Sequence, residues 1–553
     1  MLRKWTFFFT VLILLSLIVA PTGTVLAHPE AAPNDYEPDN SSGQARLITS
    51  GTPQTRSIVP NTDVDWIKFQ LSVTSGVLLE TAGTLFADTR ISLYDGSLTP
   101  IEYNDDDGID FFSFIDRQCA IDPLPAGTYF VKVEEFSNNA EIPTYHLAFD
   151  SSPCPAELVD IYTGGTRQGS SLLTLHAGTR RSLSAVNNGP VKIMNMGSSL
   201  MMASERVIYR VNGVNTSFSE IMAMPENQLD VSYWMPWYNN ADLDTQLRIA
   251  NVSSSTATVH VYIGGAEMQG SPFNLAAGAS VRKSYVGVNN GPVRIASSQR
   301  IVAAERVIYK VNNINTSFTE MMGLPASKLD TTYWLPWYNN ADLDTQLRIA
   351  NITDTPAMVH VFIGGVEMQG SPFSLGAGVS TRKSFPGINN GPVKIVSDQF
   401  IVAAERVIYK VNNINTSFAE MLALPESQLN STYWLPWYNN SGDLDTQLRI
   451  ANVSPSTANI HIYIGGIEMI GSPFSLGSMA STRKSFPGVN NGPVKIVSDQ
   501  AIVAAERLIY KTNSIPTSFT EMMALPDDQL DLIHWLPWYN SVDLDSQLRF
   551  GLP

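Results

Sequence analysis

Eight of the ten tryptophans fall in four copies of one box, Trp-x-Pro-Trp-Tyr: Trp234/Trp237, Trp334/Trp337, Trp434/Trp437 and Trp535/Trp538. Exposed indole faces stack on sugar rings, and Asn239, Asp242 and Asp244, repeated at Asn339, Asp342 and Asp344, could bond hydroxyls. The second tryptophan of each pair, Trp237, Trp337, Trp437 and Trp538, is the ligand-binding candidate, for a polysaccharide or an extracellular protein polymer. The competing reading makes both rings core anchors, because large aromatics dominate burial. The intervening proline argues for an edge strand or a loop, which would leave one ring exposed. The Asn-Asn-x-Asp-Leu-Asp run has oxygen donors that suit calcium. Asn/Asp turns need no metal, however.

No catalytic constellation accompanies the boxes. His260, His360 and His461 recur at one position, but Asp160 stands there in the first repeat. The chain has no HExxH motif and no GxSxG elbow, so it is read as a non-enzyme. Glu205-Arg206, Glu305-Arg306, Glu405-Arg406 and Glu506-Arg507 sit in apolar strands. A lone buried charge is costly, so an inward member needs a partner, and Arg248, Arg348, Arg449 and Arg549 are the candidates for the glutamates. No lysine position is filled in all four repeats, which argues against a shared Lys–Asn crosslink.

The elements that carry these residues repeat at about 100 residues, the signature of tandem structural units. Each repeat reads as a first strand (Val259 to Gly265), an Asn-Asn-Gly-Pro turn, a long apolar strand with Glu-Arg, and a Gln-Leu-Arg strand after the tryptophan box. Between long strand and box, Ser-x-x-Glu at Ser217/Glu220, Ser317/Glu320, Ser417/Glu420 and Ser518/Glu521 fits a capping box and predicts one short helix per repeat. The repeats are delimited at 155–253, 254–353, 354–454 and 455–553 and read as Ig-like β-sandwiches joined by short linkers into a semi-rigid rod. They loosely resemble repeat arrays of exported Chloroflexi-type proteins, a resemblance that implies no activity.

The beginning of the chain differs. Arg3, Lys4, the apolar run Phe7 to Ala20 and the small residues ending at Ala27 predict a signal peptide over 1–27 and export to the cell surface or medium. No later stretch is long and apolar enough for a membrane helix. The formal charge is −16 with no basic cluster, so nucleic acid is a poor partner. Cys119 and Cys154 suggest one disulfide in an oxidising compartment, against the alternative of two free thiols. Over 28–154, short alternating runs such as Trp66 to Leu71 and Tyr129 to Val133 argue an all-β sandwich.

Within that stretch, NDYEPDNS from Asn34, DVDWIKFQL from Asp63, DTRISLYD from Asp88, NDDDG from Asn104 and LPAGTYFVKV from Leu124 resemble the bacterial pre-peptidase C-terminal domain. The resemblance implies a jelly-roll-like sandwich, often an accessory to secreted peptidases. Related collagen-binding domains hold calcium near the domain's start. By that resemblance Asp35, Glu37, Asp39, Asn40, Ser57, Asp63 and Asp65 fall on or near the ligand positions, with Thr62 where a further carboxylate is expected. The expectation is an exported, non-catalytic protein of adhesion or envelope structure, with polymer binding and service beside a secreted peptidase as alternatives.

Overall fold

The computed structural model describes residues 35–553, apart from 84–86, 109, 120, 212–213, 312–313, 412–413, 443 and 513–514. The expected signal peptide lies outside the described residues. The described chain is almost entirely β.

In the first domain, alternation sets the faces. Val64–Leu71 turns Ile67, Phe69 and Leu71 inward and pairs antiparallel with Gly127–Glu135. One sheet has five strands, and the other, built on Ser75–Gly83 and Ile142–Pro153, has four. Their inner faces share one apolar core, with Phe69 stacked on Phe149. Cys119 and Cys154 form the disulfide, which ties the loop after Phe114–Arg117 to the end of Ile142–Pro153.

The repeats are sandwich-like units, each built around a long strand. In three of them it runs 19 residues: Val293–Val311, Val393–Val411 and Val494–Thr512. The first half of Val293–Val311 lies between Ala257–Ile263 and Asp230–Met235. Its second half lies between Asp244–Asn251 and Ile314–Met322. One bent strand therefore belongs to both sheets. In the first unit the same strand is broken into Val191–Asn195 and Met202–Val211.

The short helix of each unit is a 3-10 turn, at Glu226–Gln228, Ala326–Lys328, Glu426–Gln428 and Asp527–Gln529, after the proline and not before it. The Ser-x-x-Glu segments expected to be helical are strands, Val214–Met222, Ile314–Met322, Ile414–Leu422 and Ile515–Met523. Their serines and glutamates have other work. Ser217 Oγ accepts the Phe318 N–H of the next unit at 3.2 Å, and Ser417 Oγ accepts that of Phe519 at 3.3 Å. Glu220 receives Arg206 and Arg549. A local capping pattern was overridden by contacts about 100 residues away.

Two further expectations are corrected. The tryptophan-box and Gln-Leu-Arg strands do not complete the repeat that contains them; they pair with the long strand of the next one. Folding units therefore span about 230–325, 330–425 and 430–526. The final box, Ile533–Leu536 and Asp545–Gly551, returns to the first unit. There it pairs with Val191–Asn195, Met202–Val211 and Gly178–Arg181. Leu536, Tyr539, Leu548, Phe550 and Leu552 are buried in that unit's core.

The array is thus a closed ring and not a rod. The physical reason is that the first repeat has no Gln-Leu-Arg strand before it, and an unfilled edge is a pairing site. The four inner strands neighbour one another in cyclic order. A tyrosine of each unit meets a phenylalanine of the next: Tyr209–Phe318, Tyr309–Phe418, Tyr409–Phe519 and, closing the circle, Tyr510–Phe218 at 5.8 Å. The first domain docks on the ring. Thr74 Oγ1 donates to Leu175 O at 3.1 Å, and Pro125 packs on Gly466.

Candidate functional site

The strongest candidate lies in the first domain. The turn ahead of Ser42–Gln44 carries Glu37 and Asp39, Gln54–Ile58 carries Arg56, and Val64–Leu71 carries Asp65, with Asp63 just before it. Glu37, Asp39 and Asp65 bring carboxylate oxygens within 4.8 Å of one another. Arg56 is locked among them. It donates to Asp39 Oδ2, lies 3.5 Å from Asp65 Oδ1 and bonds Gln54 Oε1 through Nε and Nη2. The Tyr145 hydroxyl donates to Asp65 Oδ2.

Three carboxyls thus gather around one guanidinium, with Asp63 beside Glu37, in a place where charge is expensive. Burial, then the charge of Asp39, pushes Glu37 upward. Burial raises Asp39 despite Arg56 beside it. Asp63 is raised by burial and by Glu37. Asp65 is pushed up to about 8, chiefly by burial. Asp39 Oδ1 and Asp65 Oδ1 are buried without a hydrogen-bond partner. Orphaned carboxylate oxygens and excess negative charge fit a hard divalent cation, for which oxygen donors are the preferred ligands. Glu37, Asp39 and Asp65 would hold it, and it would tie the domain's first turn to its central strand.

Of the other sequence candidates, Ser57 is buried on the same strand as Arg56. Asp35 is exposed and outside the cluster, and Asn40 Oδ1 accepts the Val64 N–H at 3.3 Å. Sequence reading missed Arg56 and Tyr145. The available signal for Arg56 was its inward place in the alternation of Gln54–Ile58.

The second tryptophans are half-buried and already engaged. Trp237 Nε1 donates to Asn289 Oδ1 at 2.9 Å, and Asn289 Nδ2 donates to Asp242 Oδ2 at 3.0 Å. Trp337, Trp437 and Trp538 donate likewise to Asn389, Asn490 and Asn187. The Arg348 guanidinium of the next unit lies 4.8 Å from the Trp237 ring centre. Arg449 covers Trp337, Arg248 covers Trp538, and Arg180 covers Trp437. The box also needs the glycine of Asn-Asn-Gly-Pro: a Cβ on Gly291 would sit 2.6 Å from Pro236 O. Asn239 Oδ1 accepts the N–H groups of Ala241 and Asp242, so this Asn/Asp run is a side-chain-capped turn.

The Glu-Arg pairs line the unit interfaces. Both members are buried, and Arg306 pairs with Glu320 at 2.6 Å across its own hairpin. Burial, then the Glu320 charge of the next unit, drives Glu205 well above the usual carboxyl range, and Arg306 and Arg248 oppose this. Glu305, Glu405 and Glu506 repeat the pattern toward Glu420, Glu521 and Glu220. The expected Arg248-type partners are present, but they act from the neighbouring unit. At the axis, the four units leave a cavity of about 150 Å³ lined by Glu220, Glu320, Glu420, Glu521 and methionines.

No family model matches the chain, and no curated protein matches it. Among solved structures it is similar to the pre-peptidase C-terminal domain of a collagenase from Bacillus anthracis, at 16% identity over 19% of this chain and 94% of that one, with a TM-score of 0.17. It is similar to the mycobacterial arabinofuranosyltransferase AftD at 11% identity over 85% of this chain and 40% of that one, with a TM-score of 0.14. A Bifidobacterium adolescentis protein of glycoside hydrolase family 32 follows, at 8% identity over 88% and 97% of the two chains, with a TM-score of 0.10. At these scores none of the three bears on function. Among the described residues, no helix is long and apolar enough to cross a membrane.

Proposed function

We propose that this is an exported, non-catalytic protein of the cell surface or extracellular matrix, acting in adhesion or envelope structure through a calcium-dependent sandwich domain held on a closed ring. The observation that carries it is the cluster of Glu37, Asp39 and Asp65, in which Asp39 Oδ1 and Asp65 Oδ1 are buried without a hydrogen-bond partner. The ring supports a structural role because its repeated contacts join units, as in the Phe318 N–H to Ser217 Oγ hydrogen bond and the Tyr209–Phe318 ring contact. Extracellular calcium modules work at about 10⁻⁴–10⁻³ M, so free calcium outside the cell would fill such a site.

The test is calorimetric titration of the mature chain with calcium, beside a pull-down on isolated cell envelope. Calcium is expected to bind and raise the melting temperature, and Asp39→Asn with Asp65→Asn should abolish both effects and the envelope retention. Retention that is unchanged by chelator and by the double variant would sink the calcium-dependent reading.

A second reading, polysaccharide binding by Trp237, Trp337, Trp437 and Trp538, is supported by the partial exposure these rings keep. A row of weak sites would gain avidity by repetition. Retention on insoluble polysaccharide, lost when the four are changed to Phe, would favour it.

A further inference from the structure

The units are alike in sequence, yet the same outer face is covered on one and open on another. On the fourth unit, Tyr463, Gly466 and Glu468 line one cavity of about 280 Å³ together with Pro123, Leu124 and Pro125 of the sandwich domain. Pro125 packs on Gly466 so closely that a Cβ would not fit, with His176 of the first unit beside it. On the third unit the matching residues, Phe362, Gly365 and Glu367, have no such cover, and Val366 is 63% exposed. In its place is an apolar groove of about 470 Å³, lined by Trp334, His360, Phe362, Lys394, Val396 and Met479.

Two features set this groove apart from a bare unit face. The first is Trp334, which is 2% exposed and whose Nε1 has no hydrogen-bond partner. Two of its counterparts are satisfied: Trp434 Nε1 donates to Asp527 at 2.6 Å and Trp535 Nε1 to Glu226 at 3.4 Å. The corresponding acidic residue, Glu426, faces Lys394 instead, at 3.7 Å. A buried donor without an acceptor is costly unless something supplies one. The second is Met479, which forms a wall beside Gly365 from a backbone φ of +52°. The matched turn positions are Gly278 and Gly378, at φ +63° and +62°, where no side chain reaches the neighbouring unit. A methionine in a left-handed position suited to glycine, placed over an aromatic floor, makes an adaptable apolar contact.

We infer that the groove around Trp334 and Met479 binds an extended, proline-bearing segment of a protein partner, as the matching face of the fourth unit takes Pro125 of this chain on Gly466. Proline segments dock on aromatic-lined grooves, and a tryptophan N–H there can receive a backbone carbonyl. A sugar would present many hydroxyls to a surface whose lining is mostly Trp, Phe, Val and Met. The inference does not depend on the calcium pocket.

The experiment uses the full mature chain and a fluorescent peptide copying residues 121–127, read by polarisation, with cellohexaose and chitohexaose in parallel. The peptide is expected to bind saturably, in the micromolar to millimolar range typical of such modules. Met479→Gly should weaken it about fivefold and Trp334→Phe about tenfold, as contact losses at a small site do. Met479→Gly installs the residue found at this place in two other units, so its ring should melt as the wild type does. A peptide with both prolines changed to Ala should not bind. The inference is overturned if the peptide fails to bind at millimolar concentration. Indifference of binding to both variants, or binding of only the oligosaccharides with loss in both variants, would overturn it equally.

Discussion

At the residue scale, the ring is held by charges that could not stand alone in its interior. Glu405 is 3% exposed and its carboxyl is raised, first by burial and then by Glu521. The fold therefore favours the protonated form. Stability from this group is full below the unfolded value of 4.5 and is lost as pH climbs from there through the raised folded value. Glu220 has the opposite sign: burial pushes it up, but Arg206 and Arg549 outweigh that and hold it below 4.5. Its contribution is present above 4.5 and falls away as pH drops through its folded value. Glu405→Gln should leave stability near pH 5 almost unchanged and raise the melting temperature at pH 8 by a few degrees, as about 1 kcal/mol would. Melting curves across that pH range check it, and a variant less stable than wild type at pH 8 would show that Glu405 works as an ion. The Glu-Arg pairs were legible in the sequence as buried and in need of partners. Which arginine serves which glutamate was not: Arg306 pairs across its own hairpin with Glu320, expected to cap a helix, and Glu205 meets Arg306 and Arg248 only through assembly with the next unit.

At the element scale, the strands of the sandwich were readable from alternation, as in Val64–Leu71, and the second part of each long strand as an apolar run, Ile301 to Val311, of a strand that begins at Val293. The Ser217/Glu220 segment misled because the same Ser-x-x-Glu spacing that caps a helix also serves a strand whose serine and glutamate bind a neighbour. The final strands, Ile533–Leu536 and Asp545–Gly551, complete the first unit. Residues 533–553 as a whole bury five large apolar side chains there, worth about 1.5–3 kcal/mol each before entropy is charged against them. Deleting residues 533–553 should unfold the first unit and expose strand edges to self-association. Differential scanning calorimetry would then show a lost cooperative transition, and sedimentation would show oligomers. A truncated chain that stays monomeric and melts as one unit would mean that closure contributes little.

At the scale of the whole molecule, tandem repeats suggest reach, and the rod was the natural reading of four linked sandwiches. Closure was implicit in one detail of the sequence, the Gln-Leu-Arg strand missing before the first repeat and present at the end of the last. The consequence is functional: a ring gives its docked sandwich domain a broad platform and not a stalk. The carboxylate cluster of the first domain was legible only through the family resemblance, which supplied its acidic residues but neither Arg56 nor Tyr145. Small-angle X-ray scattering of the mature chain tests closure most directly. A compact particle of this size has a radius of gyration of about 24 Å, and an open row of five linked sandwiches would exceed about 45 Å. The closed ring predicts a value within a few ångströms of the compact figure, unchanged by dilution. A value near the extended one would contradict the account.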